Sequence, residues 1–595
     1  MTSLPMNKPV FCTAKRVSWW LFASVIVAYA GLVFLLPIAD NDFWWHLKSG
    51  EYIVTHTSLP AVDPFTYPQS ATIGRHEAFL LSSYWLSQSV IYLALKGGGF
   101  TGIIVLRCVL LTALFASVYL RMRRLRVDPW TTLILMSAAL VLFGALYSGD
   151  RPQLLTFICS SLLLWMMEVI REGKRPSVLV VPLMAVWANL HGGFVIGDCL
   201  LALFGVGSLI QHRGDSRMIG RCLLWVAGGV AASFINPNGY QAFAALVTMA
   251  QSNVSGYFIT EFMSSFEAFT LGRHIVSVLW WAIALTVVGI VTTKRRYWPD
   301  LLITASVAYL SCSYMRNVAF FAVVLMPVCA YYLDQGVLQR WGGARIVLLV
   351  KSGATLLFLA LIVMTSGEYR KKLAELPVQY EGILPVEPVS FIQSVGIRGN
   401  MFNEYDWGGY LLCRLYPQYR VFIDGRVVRP DVFADYRTII SGSIEKRDGK
   451  RSSMELLQAY GVDFVIQRFY QITGPLQPLF KLLLDDRNWT PVYLDTQAYI
   501  FVKNSPYNSS IIRDYGIDRS SFVQRMLRIM DLVLAGAPAD PRMYLAKADL
   551  LVHLGRRQDA ERLLRSALKI VPDTYYIKQR LQFFQRGDGF PAEIF

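Results

Sequence analysis

A chain of 595 residues with 54% hydrophobic residues, only 16% charged ones and a mean hydropathy of +0.40 is not a string of soluble domains, which carry about a quarter charged residues. The composition excludes a collagenous, disordered or disulfide-stapled chain. The net charge of +16 raises the question of nucleic acid as partner, but the basic residues alternate between loops and build no aromatic-interleaved groove, which argues against it.

Those basic residues set the expected topology. Lys8, Lys15 and Arg16 precede the first apolar run; then come Arg121, Arg123, Arg124 and Arg126, then Arg171, Lys174 and Arg175. Arg213, Arg217 and Arg221 follow, then Lys294, Arg295 and Arg296, and finally Arg340 and Arg345. This is positive-inside alternation. Laying spans between the loops predicts a polytopic α-helical membrane protein of about 11 helices: 17–38, 101–120, 130–147, 152–170, 177–191, 194–211, 221–235, 275–293, 300–316, 318–334 and 345–366. An odd count from an inside N-terminus places the C-terminus outside. Segment 78–95 is apolar enough to span, yet crossing there would put Arg121–Arg126 on the wrong side, so it reads as an amphipathic helix on the outer interface. The first run is long for a signal sequence and lacks a small-residue cleavage site, which reads as a retained anchor. The eight cysteines show no CxxC and no Cys/His metal spacing, and read as small core residues.

The outer loop at 39–100 concentrates polar chemistry: Asp40, Asp42, His46, Lys48, Glu51, Asp63, Arg75, His76 and Glu77. Ionisable residues at a membrane interface are functional candidates. The plain alternative for Asp42 is to cap a helix over 43–52. Asp40, Asp42 and Asp63 would suit an oxygen cage for Mg or Mn, though two aspartates two apart are common by chance and no metal residue is assigned.

After residue 366 the composition becomes polar and helix-like segments alternate with strand-like runs. Helices are expected at 389–395, 409–415 and 454–460, strands at 401–403, 420–423 and 464–467, and a hairpin over 490–494 and 499–502. The chain thus divides into a membrane domain (1–366), an α/β domain (367–510) and a helical segment (511–595). In the last, Tyr544, Ala548, Leu551, Gly555, Ala560, Leu564, Ala567 and Pro572 fall at the positions of one tetratricopeptide-like repeat, flanked by helices at 520–534 and 574–586. It is either a docking surface for a protein partner or a hairpin packed on its own domain.

An acidic residue just after the first span, an outer interfacial helix from His76-Glu77 to Gly97–Gly99, and a next span from Arg107 to Arg121–Arg126 together resemble the GT-C superfamily of integral-membrane glycosyltransferases. The patterns Asp42-Phe-Trp-Trp-His46, Trp187-Ala-Asn189-Leu-His191-Gly-Gly-Phe194 and Asn236-Pro-Asn-Gly239 resemble uncharacterised bacterial members. The resemblance covers roughly residues 17–370. It implies transfer of a sugar, with inversion, from a polyprenyl-phosphate-linked donor to an acceptor at the outer face of a bacterial inner (plasma) membrane, with the C-terminal domain periplasmic. The family's acidic residue falls on Asp42 or on Asp40. A phosphate leaves as a stabilised anion, so the protein must supply a base for the acceptor hydroxyl and cations for the phosphate. Lys48, Arg75, Arg151 and Arg316 are the candidate phosphate partners, and His76, Glu77 and His191 candidate substrate contacts. Each has a plain reading too: Lys48 and Arg75 as snorkelling cations, Arg316 in a polar bend, Arg151 in a turn too tight to reach far, and His191-Gly-Gly as a helix connection.

In the C-terminal part, Asn403-Glu404-Tyr405-Asp406-Trp407-Gly408-Gly409 with Val421-Phe-Ile-Asp424-Gly-Arg426 is similar to the acceptor-binding segment of oligosaccharyltransferases, and makes Asp406 and Trp407 candidate acceptor contacts. Tyr405-Asp406-Trp407 departs from the doubled tryptophan of that segment; the alternative for Asp406 is to cap the helix starting near Gly409. The rival to an enzyme is a non-catalytic membrane scaffold for cell-envelope assembly. A transporter is disfavoured by the scarcity of mid-span charge, Asp198 and Arg107 excepted. Convergence of Asp40 or Asp42 with Arg75, His76, Arg151 and His191 would favour the enzyme.

Overall fold

The computed structural model describes residues 9–586 apart from residues 39, 70–72, 147–148, 252–262, 271–275, 294–295, 339–343, 375–383, 445–450, 472 and 573. It resolves into two compact units, Met1–Ala61 with Gly74–Leu376, and Val62–Ile73 with Pro377–Phe595.

The first unit is helical. α1 (Pro9–Phe34), α2 (Asn41–His56), α3 (Arg75–Ser82) and α4 (Trp85–Arg124) are followed by α5 (Pro129–Leu146), α6 (Gln153–Arg171), α7 (Val180–Leu190) and α8 (Phe194–Gln211). Then come α9 (Ser216–Ser233), α10 (Gln241–Gln251), α11 (Ser265–Thr270), α12 (Ser277–Thr292), α13 (Trp298–Ser313), α14 (Val318–Val324), α15 (Met326–Tyr332) and α16 (Ala344–Ala374). Among the described residues three helices are long and apolar enough to cross a membrane, four if the pair bent by 54° at α14 and α15 is one span, and further apolar helices are shorter. An apolar helix of about 18 residues is about 27 Å long, close to the hydrocarbon thickness; these helices mark an integral membrane protein. The expected interfacial segment falls on α3 and the start of α4, and α4 breaks at Gly99, whose φ of 59° and ψ of −152° are open to glycine. Arg121, expected in a loop, instead lies inside α4: it is fully buried, donates to the Val324 carbonyl at 2.6 Å and stands 3.5 Å from Glu168.

The second unit carries a four-stranded sheet in the order β1-β2-β4-β3, made of β1 (Asn400–Asn403), β2 (Val462–Arg468), β3 (Trp489–Leu494) and β4 (Ala498–Lys503). β1 runs parallel to β2; the other pairings are antiparallel. No strand forms over 420–423. There the Asn403 side chain takes the place of a partner strand, accepting the Phe422 N–H at 2.8 Å and donating to the Ile423 carbonyl at 2.9 Å. Val421 instead makes an isolated parallel bridge with Thr66. Val62–Ile73 therefore belongs to the C-terminal unit: Val421 N–H donates to the Phe65 carbonyl and Tyr67 N–H to the Val421 carbonyl.

Helices Arg519–Gly536, Pro541–His553, Arg557–Ile570 and Tyr575–Arg586 end the chain. Asp549, 2% exposed, accepts from Arg580 at 2.9 Å and from the Leu476 N–H at 3.1 Å. This bond ties the helix Pro541–His553 to the sheet-bearing part of its own unit.

Candidate active site

α2 begins because Asp40, in extended backbone, turns its carboxylate back to accept the Asp42 N–H at 3.0 Å, which satisfies one of the donors a helix start leaves open. Capping thus belongs to Asp40, not to Asp42 as the sequence alone allows. Asp42 stands in the first turn with its side chain a quarter exposed. One face of α2 buries Phe43, Trp44, Leu47 and Ile53. At Gly50 a Cβ would lie 2.0 Å from the Gln88 carbonyl oxygen, so the close approach of α2 to α4 requires glycine there.

Arg151 joins the two carboxylates. Its Nε donates to Asp40 Oδ2 at 2.5 Å and its Nη1 lies 3.1 Å from Asp42 Oδ2. The tight turn, expected to limit its reach, instead aims it: Gly149 has φ 138°, and a Cβ on it would meet Asp40 Cβ at 2.6 Å. Asp40 is 3% exposed. Burial pushes its carboxyl up to about 6, Arg151 opposing the rise and the Asp42 charge adding to it. Next to Arg151, Asp150 receives a fork from Arg107, with Nε–Oδ1 and Nη2–Oδ2 both 2.6 Å. Arg107 Nη1 also donates to the Leu36 carbonyl and, at 3.3 Å, to the Phe34 carbonyl.

One helical turn beyond Asp42 on α2 stands His46, and one to two turns beyond Arg151 on α6 stands Thr156. The Tyr84 ring lies 5.4 Å from both the His46 and the His191 rings. His191 Nδ1 accepts the Gly193 N–H at 2.9 Å and is 2.8 Å from Thr156 Oγ1, which accepts Trp187 Nε1–H at 3.0 Å. These bonds assign the imidazole proton to Nε2. The segment around Tyr84 also binds the distant patterns at 187–194 and 236–239. Trp85 Nε1 donates to Asn189 Oδ1 at 2.8 Å, Ser87 Oγ to the Leu190 carbonyl at 2.7 Å, and Asn238 Nδ2 to Ser82 Oγ at 2.8 Å.

The remaining candidates are placed as follows. Lys48 pairs with Glu51 at 2.8 Å on its own helix. Arg75 opens α3 and is exposed, His76 is half-buried and Glu77 is buried. Arg316 lies in a one-turn 3-10 helix, Met315–Asn317, and its side chain falls outside the described residues. Asp63 is a residue of the second unit; both its oxygens receive Arg426, at 3.0 and 3.1 Å. Among the described residues no three His, Cys, Asp or Glu side chains group so as to hold a metal ion. Asp406 and Trp407 lie in a one-turn 3-10 helix, Tyr405–Trp407. Trp407 occupies the cap position of helix Gly408–Leu415, its own side chain making no cap bond. The Arg468 guanidinium sits 5.1 Å over the Trp407 ring.

Sequence reasoning missed Thr156, Tyr84 and the Arg107–Asp150 pair as parts of this site. Thr156 reads as one more small polar residue in an apolar span, and its partner is 35 positions away; no local spacing signals such a contact.

No family model matches the chain, and no curated protein does. Among solved structures it is similar to the archaeal oligosaccharyltransferase AglB from Archaeoglobus fulgidus, in complex with an inhibitory peptide and a dolichol-phosphate, at 12% identity and TM-score 0.48, over 82% of this chain and 75% of that one. It is also similar to ArnT from Cupriavidus metallidurans bound to undecaprenyl phosphate, at 12% identity and TM-score 0.43, over 82% of this chain and 98% of that one. At these scores neither likeness carries weight for the chemistry, which rests on the chain's own residues.

Proposed function

We propose that this protein is a membrane glycosyltransferase of GT-C type that moves a sugar from a polyprenyl-phosphate-linked donor to an acceptor, with Asp42 as the general base. The observation that supports it is the pair Asp40 and Asp42 held by one guanidinium at the end of an apolar helix. The two carboxylates differ in what they can do. Asp40 has one oxygen on the Asp42 N–H and the other on Arg151, which suits a positioning residue. Asp42 is the more exposed, with its Oδ2 3.1 Å from Arg151 Nη1, and the exposure suits a group that takes a proton from an acceptor hydroxyl. The acceptor oxygen then bonds to the sugar's anomeric carbon as the bond to the phosphate oxygen breaks, and the phosphate keeps that electron pair. Arg151, beside the base, is the cation nearest the developing charge; Lys48, Arg75 and Arg316 stay as further phosphate candidates, and His76, Glu77, His191, Asp406 and Trp407 as substrate contacts. The outer face and the periplasm are the proposed location.

The scaffold alternative relies on a free docking surface in the terminal helices. Asp549 ties one face of the helix Pro541–His553 to its own unit, which takes that face away from a partner. The test is sugar transfer by the purified full chain in lipid nanodiscs supplied with polyprenyl-phosphate sugars. Asp42→Asn should lower turnover by about 10²–10⁴, and Asp40→Asn, which keeps the cap, by much less. Full activity in both variants would overturn the assignment, and loss in Asp40→Asn alone would move the base to Asp40.

A further inference from the structure

Arg107 lies on α4 with 6% of its side chain exposed, and Asp150 with 9%. A charged side chain at such depth in a membrane protein carries a desolvation penalty and persists where its donors are used. Here the guanidinium makes a fork to both oxygens of Asp150 and reaches two backbone carbonyls, those of Phe34 and Leu36. The carbonyls lie at the end of α1, where helix geometry leaves acceptors without partners. Asp150 immediately precedes Arg151, and Leu36 precedes Asp40 by four residues. One side chain thus grips both segments whose next polar residues form the Arg151–Asp40–Asp42 contact.

We propose that Arg107, through Asp150, is a positioning residue that holds Arg151 on the two aspartates and so sets the geometry of the base. The proposal rests on the glycosyltransferase reading for its consequence, though not for the clamp itself. A plain structural staple would hold the helices together and leave the placement of Arg151 unaffected. The difference lies in the carboxylates: with Arg107 released from Asp150, the 149–151 turn loses one of its anchors, Arg151 no longer stays on Asp40 and Asp42, and both become open to reagents. Lysine cannot substitute, because an ammonium is a single point donor without the planar fork that spans Asp150 while reaching the α1 carbonyls.

Two variants of the full chain test this, Asp150→Asn, which keeps volume and one acceptor oxygen, and Arg107→Lys, which keeps the charge. The first readout needs no activity: labelling of Asp40 and Asp42 by a water-soluble carbodiimide, quantified by peptide mass spectrometry. It should rise severalfold in both variants. The second is transfer kinetics, where kcat should fall by about 10- to 100-fold, as for an ångström-scale misplacement of reacting groups, with the donor KM little changed. If one variant fails to fold, the other carries both readouts. Unchanged labelling with a lowered melting temperature would overturn the proposal in favour of a staple, and so would a fall in kcat with unchanged labelling. Increased labelling in a protein whose wild type transfers no sugar would uphold the clamp and overturn the glycosyltransferase reading.

Discussion

Replacing Arg426 by Met removes the cation between two buried carboxylates of the second unit. Arg426 donates to Asp424 at 2.8 Å from Nε and 2.5 Å from Nη2, and to Asp63 at 3.0 and 3.1 Å. All three side chains are at most 2% exposed, and the two carboxylates hold the guanidinium charged, well above its ordinary range. Breaking a buried pair from one side costs about 3–5 kcal/mol. Two stranded carboxylates place Arg426→Met at or above the top of that range. Against a total of about 5–15 kcal/mol for a folded unit, this is a third or more. Asp63→Asn is milder. Arg426 keeps Asp424, and the amide oxygen still accepts the Phe65 N–H, now at 3.2 Å, so the loss is about 1.5–3 kcal/mol, or roughly 3–12 °C for a unit of this size. The assay is thermal melting of the purified full chain, with limited proteolysis in 62–73 to detect release of that segment. A melting temperature for Arg426→Met equal to wild type, or above that of Asp63→Asn, would refute the reasoning.

Gly149→Ala should disturb the site with little effect elsewhere: φ 138° and a Cβ at 2.6 Å from Asp40 Cβ force either the turn or Asp40 to move, at about 1–3 kcal/mol, and a variant with unchanged turnover would contradict the close contact. For Glu404, burial raises the carboxyl to about 7, Arg468 opposing and Asp406 adding to the rise. The folded state therefore holds the proton more tightly than the unfolded chain, so wild-type stability should fall as pH rises from about 4.5 to about 7. Glu404→Gln should escape this fall and gain about 1–3 kcal/mol over wild type at pH 8 but not at pH 4; denaturant titrations of both at the two pH values check it, and parallel behaviour would count against the burial of the charge.

What could be read from the sequence was what depends on near neighbours. Apolar runs long enough for a bilayer are a one-dimensional property, and α6 and α8 follow from them. The break in α4 is likewise local, since Gly97–Gly99 favours a turn and Gly99 takes it with positive φ. Short elements such as Val386–Val395 and β4 also carry their patterns on themselves. Only the tertiary structure could decide where charges find partners. Asp40 and Asp42 are both good caps by type, and Asp40 took the role because its extended backbone aims its carboxylate at the Asp42 N–H. The reach of Arg151 was set by Gly149 packing on Asp40, a contact across 109 positions that no spacing encodes. Asp63, close to Asp42 in sequence, belongs to the unit of Arg426, 363 positions away. The run at 420–423 has strand-like residues but no strand, because the Asn403 side chain meets its backbone first. A buried charge or an unpaired backbone group is stabilised by whatever reaches it in space, and for these residues that partner lies far along the chain.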